Sequence, residues 1–490
     1  MTIPKNQHNT IVGREIEQAR LHKIVTSREA EFLAIYGRRR IGKTFLIEEY
    51  FKSADIYFTL TGIKDGSLAD QLGNFTKAFN RLFRENYLLS TPKNWLDALH
   101  QLVSAIEKTP TRGKIVIFFD ELPWLASKKS KFLQALEYLW NTWASKRNDI
   151  ILIVCGSAAS WMINKILHHK GGLYNRITAR MRLLPFTLKE TEKFLNYRKI
   201  HLDRQQVLEL YMALGGIPHY LKQVEKGWSA AQNINQLAFS KEGLLHDEFD
   251  KLYAALFDHP NEHINIVKTL AMQRTGLTRE ALRTLLKITS GGGLTKQLKE
   301  LEESGFIAGT IPFGKKRKNI VYRLIDEYSL FYLDWIAKAP QAIFTATSHQ
   351  YWLQKRSSPR WKAWAGYSFE GICLKHIEAI KMALGINGVS TVESGWFYRP
   401  QHTSENGAQI DLVIDRSDHC INLCEIKYTD TPFTITKSYA ENLRNKRDIF
   451  KAKTKTFKTI FVTFIAAHGV QINAYYEEIV SNQITLDALF

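Results

Sequence analysis

Runs of consecutive apolar residues mark the first part of the chain. They cover residues 32–36, 115–119 and 151–155, and each is followed directly by a glycine or an acidic residue. A strand that is buried on both faces of a parallel sheet has a continuous apolar sequence, and ligands bind beyond the carboxyl ends of such strands. The runs therefore predict central strands of a parallel sheet in an α/β domain.

The next segment has a helical pattern. From residue 187 the apolar positions recur with helical spacing. The segment ends at Gly215 and Gly216, with Pro218 just beyond them, and this combination is a helix stop signal. Residues 187–245 are therefore predicted to be helical.

Residues 246–345 combine helical patterns with a β-hairpin. The helical patterns cover residues 264–272, 279–286 and 294–304, and the β-like runs cover residues 307–311 and 320–324. Between the two runs lies a basic loop that contains Lys315, Lys316, Arg317 and Lys318. Three helices and a hairpin predict a winged helix-turn-helix with this loop as its wing.

Charged residues punctuate the predicted strands near the carboxyl terminus. Residues 407–415 and 421–427 predict a hairpin, which is followed by a basic helix at residues 442–458 and a strand at residues 459–464. Alternation along a strand puts Glu425 and Lys427 on one face. Asp411 lies in the partner strand, and Glu370 lies on a helix predicted for residues 366–383.

The composition adds a strong positive charge. The chain has 490 residues, which is too many for one core, and its 67 Lys+Arg against 48 Asp+Glu give a net charge of +19. Such a field attracts polyanions, so nucleic acid is the expected partner, with an anionic membrane surface as the alternative.

Cellular location is inferred from what the sequence lacks. The four cysteines form no CxxC pair, which argues against a disulfide framework or a zinc site and favours a reducing compartment. There is no secretion signal at the start and no apolar run long enough to span a bilayer. We expect a cytoplasmic protein that is not embedded in a membrane.

The loop at residues 37–44, GRRRIGKT, follows the first apolar run and precedes a predicted helix. Its spacing matches the P-loop pattern, in which backbone N–H groups wrap phosphates at a helix N-terminus, a lysine reaches the outer phosphates and a hydroxyl meets Mg²⁺. Lys43 and Thr44 take these two roles, so ATP and Mg²⁺ are the predicted cofactors. The predicted nucleotide-binding residues of this segment are Gly37, Arg40, Ile41, Gly42, Lys43, Thr44 and Phe45.

Asp120 and Glu121 follow the second apolar run. Phosphoryl transfer requires a metal ion, an in-line water and neutralised charge. We therefore predict that Asp120 holds the Mg²⁺ shell and that Glu121 polarises the attacking water, as in a Walker B element with an adjacent catalytic glutamate. Ser157 follows the third run and resembles the sensor of the additional-strand P-loop class; the alternative is a turn of small residues. Arg176 and Arg180 are candidate arginine fingers, or else solvated surface groups.

The first half of the chain resembles archaeal-type ATPases related to AAA+ and STAND proteins. Val12 and Gly13 lie in a short apolar segment that resembles their adenine-packing box. Pro218 and His219 resemble their GxP motif, which implies that the proline contacts the base and that the histidine is a phosphate contact. In STAND relatives the winged helix often closes over the nucleotide, and the third helix here carries Glu300, Glu302 and Glu303. We therefore predict a packing or switching role for this helix in preference to DNA reading, with the basic wing still available to phosphates.

The C-terminal residues support a second chemistry. Two carboxylates on neighbouring strands can hold Mg²⁺ or Mn²⁺ while a lysine orients water, which is the arrangement needed for metal-assisted phosphodiester cleavage. Asp411, Glu425 and Lys427, with Glu370 on the preceding helix, resemble the PD-(D/E)XK nuclease core, here without the proline. Asp411 and Glu425 are the predicted metal ligands, and the basic helix is a candidate phosphate track.

The whole sequence thus predicts four segments in an α/β protein. They are a P-loop ATPase core at residues 1–186, a helical lid at 187–245, a winged helix-turn-helix at 246–345, and a linker with a restriction-endonuclease-like α/β domain at 346–490. The expected function is ATP hydrolysis that controls DNA binding or metal-dependent DNA cleavage. The alternative is a nucleotide-dependent binding or scaffold switch with an inactive nuclease fold. The sequence is also compatible with a homo-oligomer.

Overall fold

A computed structural model describes the chain except for residues 1–10, 84–89, 128, 168–172, 174, 289–290, 346–349 and 401–405. The chain divides into two compact units, with the boundary between Pro185 and Phe186.

The first unit is an α/β domain around a parallel five-stranded sheet. Its strands are β1 (Glu31–Tyr36), β2 (Ile56–Thr61), β3 (Ile115–Asp120), β4 (Ile150–Gly156) and β5 (Ala179–Arg182). The strand order is β2-β3-β4-β1-β5 and every pair is parallel. The prediction of an α/β domain with a parallel sheet is confirmed, and β4 is the additional strand between β1 and β3.

Helices cover this sheet because they present apolar faces to it. They are α1 (Glu15–Thr26), α2 (Lys43–Phe51), α3 (Leu68–Phe83), α4 (Trp95–Lys108), α5 (Leu122–Leu125), α6 (Phe132–Thr142) and α7 (Ala159–Met162). Aromatic residues fill much of the core: Trp95 of α4 meets Phe132 of α6 edge to face, with ring centroids 4.7 Å apart. Every residue of β3 and β4 is buried, as their uninterrupted apolar sequences require.

The second unit begins with a helical segment. It contains α8 (Leu188–Tyr197), α9 (Arg204–Leu214), α10 (Pro218–Leu221), α11 (Ala230–Phe239) and α12 (Glu248–Leu256). Side-chain caps fix several helix starts: Thr187 and Glu190 form a capping box on α8, and Ser229 and Gln232 form one on α11. Gly215 ends α9 in a left-handed conformation, with φ of 67°.

Three helices and a small antiparallel sheet follow. The elements are α13 (Pro260–Met272), β6 (Leu277–Thr278), α14 (Arg279–Leu285), α15 (Gly291–Glu303), β7 (Ile307–Thr310) and β8 (Val321–Leu324). The sheet has the order β6-β8-β7, so β6 joins the predicted hairpin as a third strand. Glu300 on α15 bonds His263 of α13 at 2.9 Å, which ties this helix into its own subdomain.

Short helices precede and enter the segment in which the sequence predicts a linker, which begins at residue 346. They are α16 (Glu327–Phe331), α17 (Ala342–Thr345) and, within that segment, α18 (Tyr351–Lys355). Trp352 is completely buried and meets Trp335 and Trp361 edge to face. Local sequence could not show this packing, because the aromatic partners lie on different helices.

The C-terminal part is a mixed five-stranded sheet flanked by helices. Its elements are α19 (Pro359–Lys375), α20 (Ile377–Ala383), β9 (Thr391–Tyr398), β10 (Ala408–Arg416), β11 (Cys420–Lys427), α21 (Lys437–Thr454), β12 (Thr459–Ala466), α22 (Ala474–Ile479) and β13 (Asn482–Thr485). The order is β13-β12-β11-β10-β9. The pairs β9–β10 and β10–β11 are antiparallel, and β11–β12 and β12–β13 are parallel.

Two helix predictions in this part need correction. The helix expected at residues 366–383 is two helices, α19 and α20, which separate at His376. The helix expected at residues 442–458 begins earlier, at Lys437, where Thr436 caps it, and ends at Thr454. Among the helices that the structure describes, none has the length and apolar character that crossing a bilayer requires.

Candidate nucleotide site and carboxylate site

The loop between β1 and α2 closes around a buried lysine. The Lys43 ammonium donates to the carbonyl oxygens of Gly37 and Arg38, both at 2.9 Å. Gly37 and Gly42 have φ angles of 147° and 90°, which favour glycine. A Cβ on Gly37 would lie 2.3 Å from the Leu183 carbonyl oxygen, so a side chain is excluded there. The loop is thus a backbone nest beside a helix N-terminus, which is suited to phosphate.

An acidic residue and a hydroxyl meet beside this loop. Thr44 Oγ1 donates to Asp120 Oδ2 at 2.7 Å, and Asp120 is buried at the end of β3. Both groups are hard oxygen donors of the kind that Mg²⁺ takes. The residues that the sequence proposed for Mg²⁺ are therefore neighbours in the structure and fit that ion.

Glu121 is positioned by the adjacent strand. It has left-handed backbone geometry, with φ of 47°, and its carboxylate accepts from Ser157 N at 3.2 Å and from Ser157 Oγ at 2.9 Å. Because β4 lies beside β3 in the parallel sheet, the residue after β4 reaches the carboxylate after β3. The structure thus brings together Glu121 and Ser157, which lie 36 positions apart in the sequence.

Sequence reasoning missed Arg14. Its guanidinium is buried and donates to the carbonyl oxygens of Leu184, at 2.7 Å, and of Ile41, at 3.1 Å. It therefore joins the phosphate loop, through Ile41, to the chain just after β5, through Leu184. Arg14 follows directly after Val12 and Gly13, the predicted base-packing residues, but no spacing rule marks it.

For the remaining predicted nucleotide contacts, the structure gives a position in the fold and no role. Arg176 lies in an exposed turn before β5, and Arg180 is an exposed residue of β5. Pro218 and His219 open α10 in the second unit. Their roles as arginine finger, base contact and phosphate contact stay predictions.

The second cluster lies where β10 and β11 meet α19 and α21. The pairing of β10 with β9 shifts register between Ile410 and Val413, and Asp411 lies in this irregular stretch. Irregularities of this kind often redirect side chains near functional sites. Asp411 Oδ2 accepts from Ile426 N at 3.2 Å, so this carboxylate lies beside the strand that carries Glu425 and Lys427.

Glu425 is held by cations from two elements. Lys427 Nζ lies 2.9 Å from Glu425 Oε1, and Lys446 Nζ of α21 lies 2.8 Å from Oε2. The Tyr439 hydroxyl donates to the same carboxylate. Burial would raise the pKa of Glu425, but Lys446 and Lys427 outweigh it and hold the pKa below its usual value. Lys446, which the sequence placed on a phosphate track, is therefore a partner of the carboxylate.

The pKa values of Glu370 and Asp411 are instead raised. Burial, together with the nearby charge of Asp411, raises the pKa of Glu370 to about 8. Burial and the charge of Glu425 also raise the pKa of Asp411. Arg323 of β8 faces both acids and partly counteracts the rise at Glu370, while its own pKa is lowered by burial. Neither Arg323 nor Tyr439 was identified from the sequence.

This cluster does not fit a resident divalent ion as it stands. Both oxygens of Glu425 already face ammonium groups. Within the described ranges, no group of three or more His, Cys, Asp or Glu residues is suited to hold a metal ion. A divalent cation at Asp411 and Glu425 would have to displace Lys446, because like charges repel strongly in a buried site.

Comparisons with known proteins agree with the nucleotide site. Residues 11–224 match the family described as an ATPase domain predominantly from Archaea. An uncharacterised protein of Methanocaldococcus jannaschii is 26% identical over 330 residues, which make up 66% of this chain and 68% of that protein.

Solved structures are similar over a comparable length. A Walker-type ATPase of Pyrococcus abyssi is 17% identical, with a TM-score of 0.46, and the match covers 68% of this chain and 98% of that one. The ORC2 protein of Aeropyrum pernix, in its ADPNP–ADP complexes, is 16% identical, with a TM-score of 0.42 and coverage of 69% and 98%.

Proposed function

We propose that this protein hydrolyses ATP and that its nucleotide state controls how its second unit engages DNA. The match of residues 11–224 to the family described as an ATPase domain predominantly from Archaea supports the first part. The observation that carries the ATPase proposal is the pair of contacts Thr44–Asp120 and Ser157–Glu121. They support the proposal because a hydroxyl–carboxylate pair and a second, hydrogen-bonded carboxylate lie beside one phosphate loop.

Each residue of the loop region has a separate task in this proposal. The N–H groups of the loop bind the phosphates, and Lys43 exchanges its carbonyl partners for phosphate oxygens. Thr44 and Asp120 would hold Mg²⁺, which neutralises charge on the phosphates. Glu121 orients the attacking water, and Ser157 keeps that carboxylate in place. Arg176 supplies further positive charge to the transferred phosphoryl group.

Two substitutions test the ATPase proposal. Lys43→Ala should abolish turnover by weakening ATP binding, whereas Glu121→Gln should retain ATP and lose turnover, because the neutral amide does not polarise water. Phosphate release and nucleotide binding measure the two properties. Lys52→Ala and Glu49→Gln are matched controls, since Lys52 and Glu49 pair with each other at the C-terminal end of α2, the helix that begins at Lys43. Wild-type turnover in both test variants would refute the proposal.

The DNA part of the proposal depends on charge. The net charge of +19 and the exposed basic loop between β7 and β8 favour a polyanion. Binding of labelled DNA should change between the ATP-bound Glu121→Gln variant and the ADP-bound wild type. Equal affinity in the two states would separate DNA binding from the nucleotide cycle and remove the control part of the proposal.

Two outputs are open to the second unit. Metal-dependent cleavage is favoured by the position of Asp411 beside the strand that carries Glu425 and Lys427. Nucleotide-dependent binding without cleavage, with an inactive nuclease fold, is favoured by the two lysines on Glu425. The second output agrees better with the charge balance.

Nicking assays with Mg²⁺ or Mn²⁺ distinguish the outputs. Cleavage predicts DNA nicking that Asp411→Ala or Lys427→Ala abolishes while ATP turnover survives. Lys446→Met should increase nicking, because it removes the cation that a metal would have to displace. If all DNA and RNA forms remain intact with wild type and Lys446→Met alike, the binding switch is the output.

A further inference from the structure

A groove follows the outer strand of the C-terminal sheet. Two adjoining cavities, of about 630 and 450 Å³, share Trp396, Phe397 and Tyr398 of β9 as lining residues. The opposite wall comes from the small sheet and its basic loop, and Phe313 N of that loop donates to the Gly395 carbonyl oxygen at 3.0 Å. Since β9 is the last strand in the order, residues from both of its faces reach the groove.

The lining has charge of one sign. Arg323 and Arg399 line the larger cavity, and Lys315 and Lys453 line the smaller one. Among the described residues that line either cavity, none is acidic. In a chain with 48 Asp and Glu residues, a lining whose described residues include four cations and no carboxylate is suited to an anionic ligand.

Aromatic rings accompany these cations. Phe397 is 53% exposed, and the Arg399 guanidinium lies 5.8 Å from its ring centroid. The Lys453 ammonium lies 4.2 Å from the Tyr398 ring centroid. Exposed rings beside cations are the combination that binds single-stranded nucleic acids, in which unstacked bases pack on rings while phosphates meet the cations. A duplex keeps its bases stacked and cannot use the rings in this way.

We propose that the groove between β9 and the basic β7–β8 loop binds single-stranded nucleic acid, with a base stacked on Phe397 and the backbone held by Lys453, Lys315 and Arg399. The proposal deepens the proposed function, since it rests on nucleic acid as the partner of the second unit. It specifies where on the second unit the nucleic acid binds and that this nucleic acid is single-stranded.

Anisotropy titrations of the full-length protein test the proposal. The probes are a labelled oligothymidine of about 16 nucleotides and a duplex of the same length. Phe397→Ala should weaken oligothymidine binding roughly tenfold, as expected for the loss of one stacked base, and Phe397→Trp should retain it. Lys453→Gln should weaken binding and lower the salt slope by about 0.7.

Matched controls lie on the same domain. Phe457 is fully exposed and does not line the groove, so Phe457→Ala should bind as wild type. Lys437 begins the helix that ends near Lys453, so Lys437→Gln controls for the loss of one charge. Thermal unfolding checks that each variant is folded, and quenching of 2-aminopurine in the oligonucleotide should fall in Phe397→Ala.

Several outcomes would overturn the proposal. They are wild-type affinity in Phe397→Ala, a duplex that binds as tightly and loses as much in that variant, and equal displacement of the oligonucleotide by polyglutamate, which would indicate an acidic-peptide site. Failure of the ATPase proposal is seen separately, in turnover by Lys43→Ala and Glu121→Gln. If no nucleic acid binds although ATP is hydrolysed, the groove proposal and the DNA part of the function both fail.

Discussion

At the residue scale, side chains of the carboxylate site take their properties from neighbours that are far away in sequence. Glu425 is balanced by Lys446, 21 positions later on another element. At Glu370, burial and the charge of Asp411 outweigh the attraction of Arg323 and Lys427, so the pKa is raised and the protonated form is favoured. The surroundings therefore favour the protonated carboxyl at Glu370 and the ionised carboxylate at Glu425.

Glu370 should make stability depend on pH. Its folded pKa of about 8 lies above the ordinary value of 4.5, so the folded state binds this proton more tightly. The contribution is complete below pH 4.5 and is lost as the pH rises through 8. Urea unfolding of wild type should show this fall, and Glu370→Gln should reduce it. Glu378→Gln, an exposed acid on the next helix, is the control; equal pH profiles for wild type and Glu370→Gln would contradict the assignment.

Arg14 gives a second prediction at this scale. Arg14→Ala removes the hydrogen bond to the Ile41 carbonyl oxygen of the phosphate loop and the one to the Leu184 carbonyl oxygen after β5. Buried charged hydrogen bonds contribute roughly 1.5–3 kcal/mol, so the variant should unfold at lower urea and bind an ATP analogue more weakly. Arg20→Ala, on the exposed face of α1, should change neither property. Unchanged affinity in Arg14→Ala would show that the loop holds its shape alone.

At the element scale, the buried central strands were easier to predict than helix ends. The apolar runs located β1, β3 and β4 to within one residue, because burial on both faces requires continuous apolar sequence. Helix ends depend on caps and on packing partners. Pairs such as His376 with Leu188 join α19 to α8, and the first of these helices ends at that contact.

His376 should couple that contact to pH. Its ring accepts from Leu188 N at 3.0 Å and donates from Nδ1 to the Ile372 carbonyl oxygen at 2.8 Å, which requires the neutral form. Burial lowers its pKa from 6.5 to about 4. This stability is present above pH 6.5 and is lost as the pH falls through 4, by up to roughly 3 kcal/mol.

Urea unfolding between pH 7 and pH 4 measures this loss. His376→Gln should flatten the profile in that range, whereas His22→Gln, an exposed histidine of α1, should leave it unchanged. A profile that keeps its wild-type slope in His376→Gln would assign the pH dependence to other groups.

At the scale of the whole molecule, the positive charge of +19 is the property that bears on partners. Part of this positive charge is neutralised within the fold, since Lys446, Arg444 and Lys375 form ion pairs with acidic residues. The described lining of the groove along β9 contains Arg399, Lys315 and Lys453 and no acidic residue. This local concentration of positive charge favours binding of an anionic partner at the groove over binding that is spread across the whole surface.

The salt dependence of oligonucleotide binding measures how much of the binding takes place at the groove. Oligonucleotide affinity should fall linearly on a log–log plot against salt, with a slope near −0.7 for each phosphate contact. Lys315→Gln and Lys453→Gln together should reduce the slope by about 1.4. Exposed lysines elsewhere, such as Lys226 and Lys241, should not affect the slope when changed to Gln. Equal slopes in both double variants would mean that binding is spread over the surface.

The sequence by itself determined the parallel sheet, the phosphate loop and the acids after β3, because these features follow from local spacing and continuous burial. Only the tertiary structure decided which groups meet: Ser157 with Glu121, Arg14 with the loop, and Lys446 with Glu425. It also decided that Trp352, in the segment expected to be a linker, packs against Trp335 and Trp361. Such contacts join residues on different elements, and their charges and burial exist only when the chain is folded.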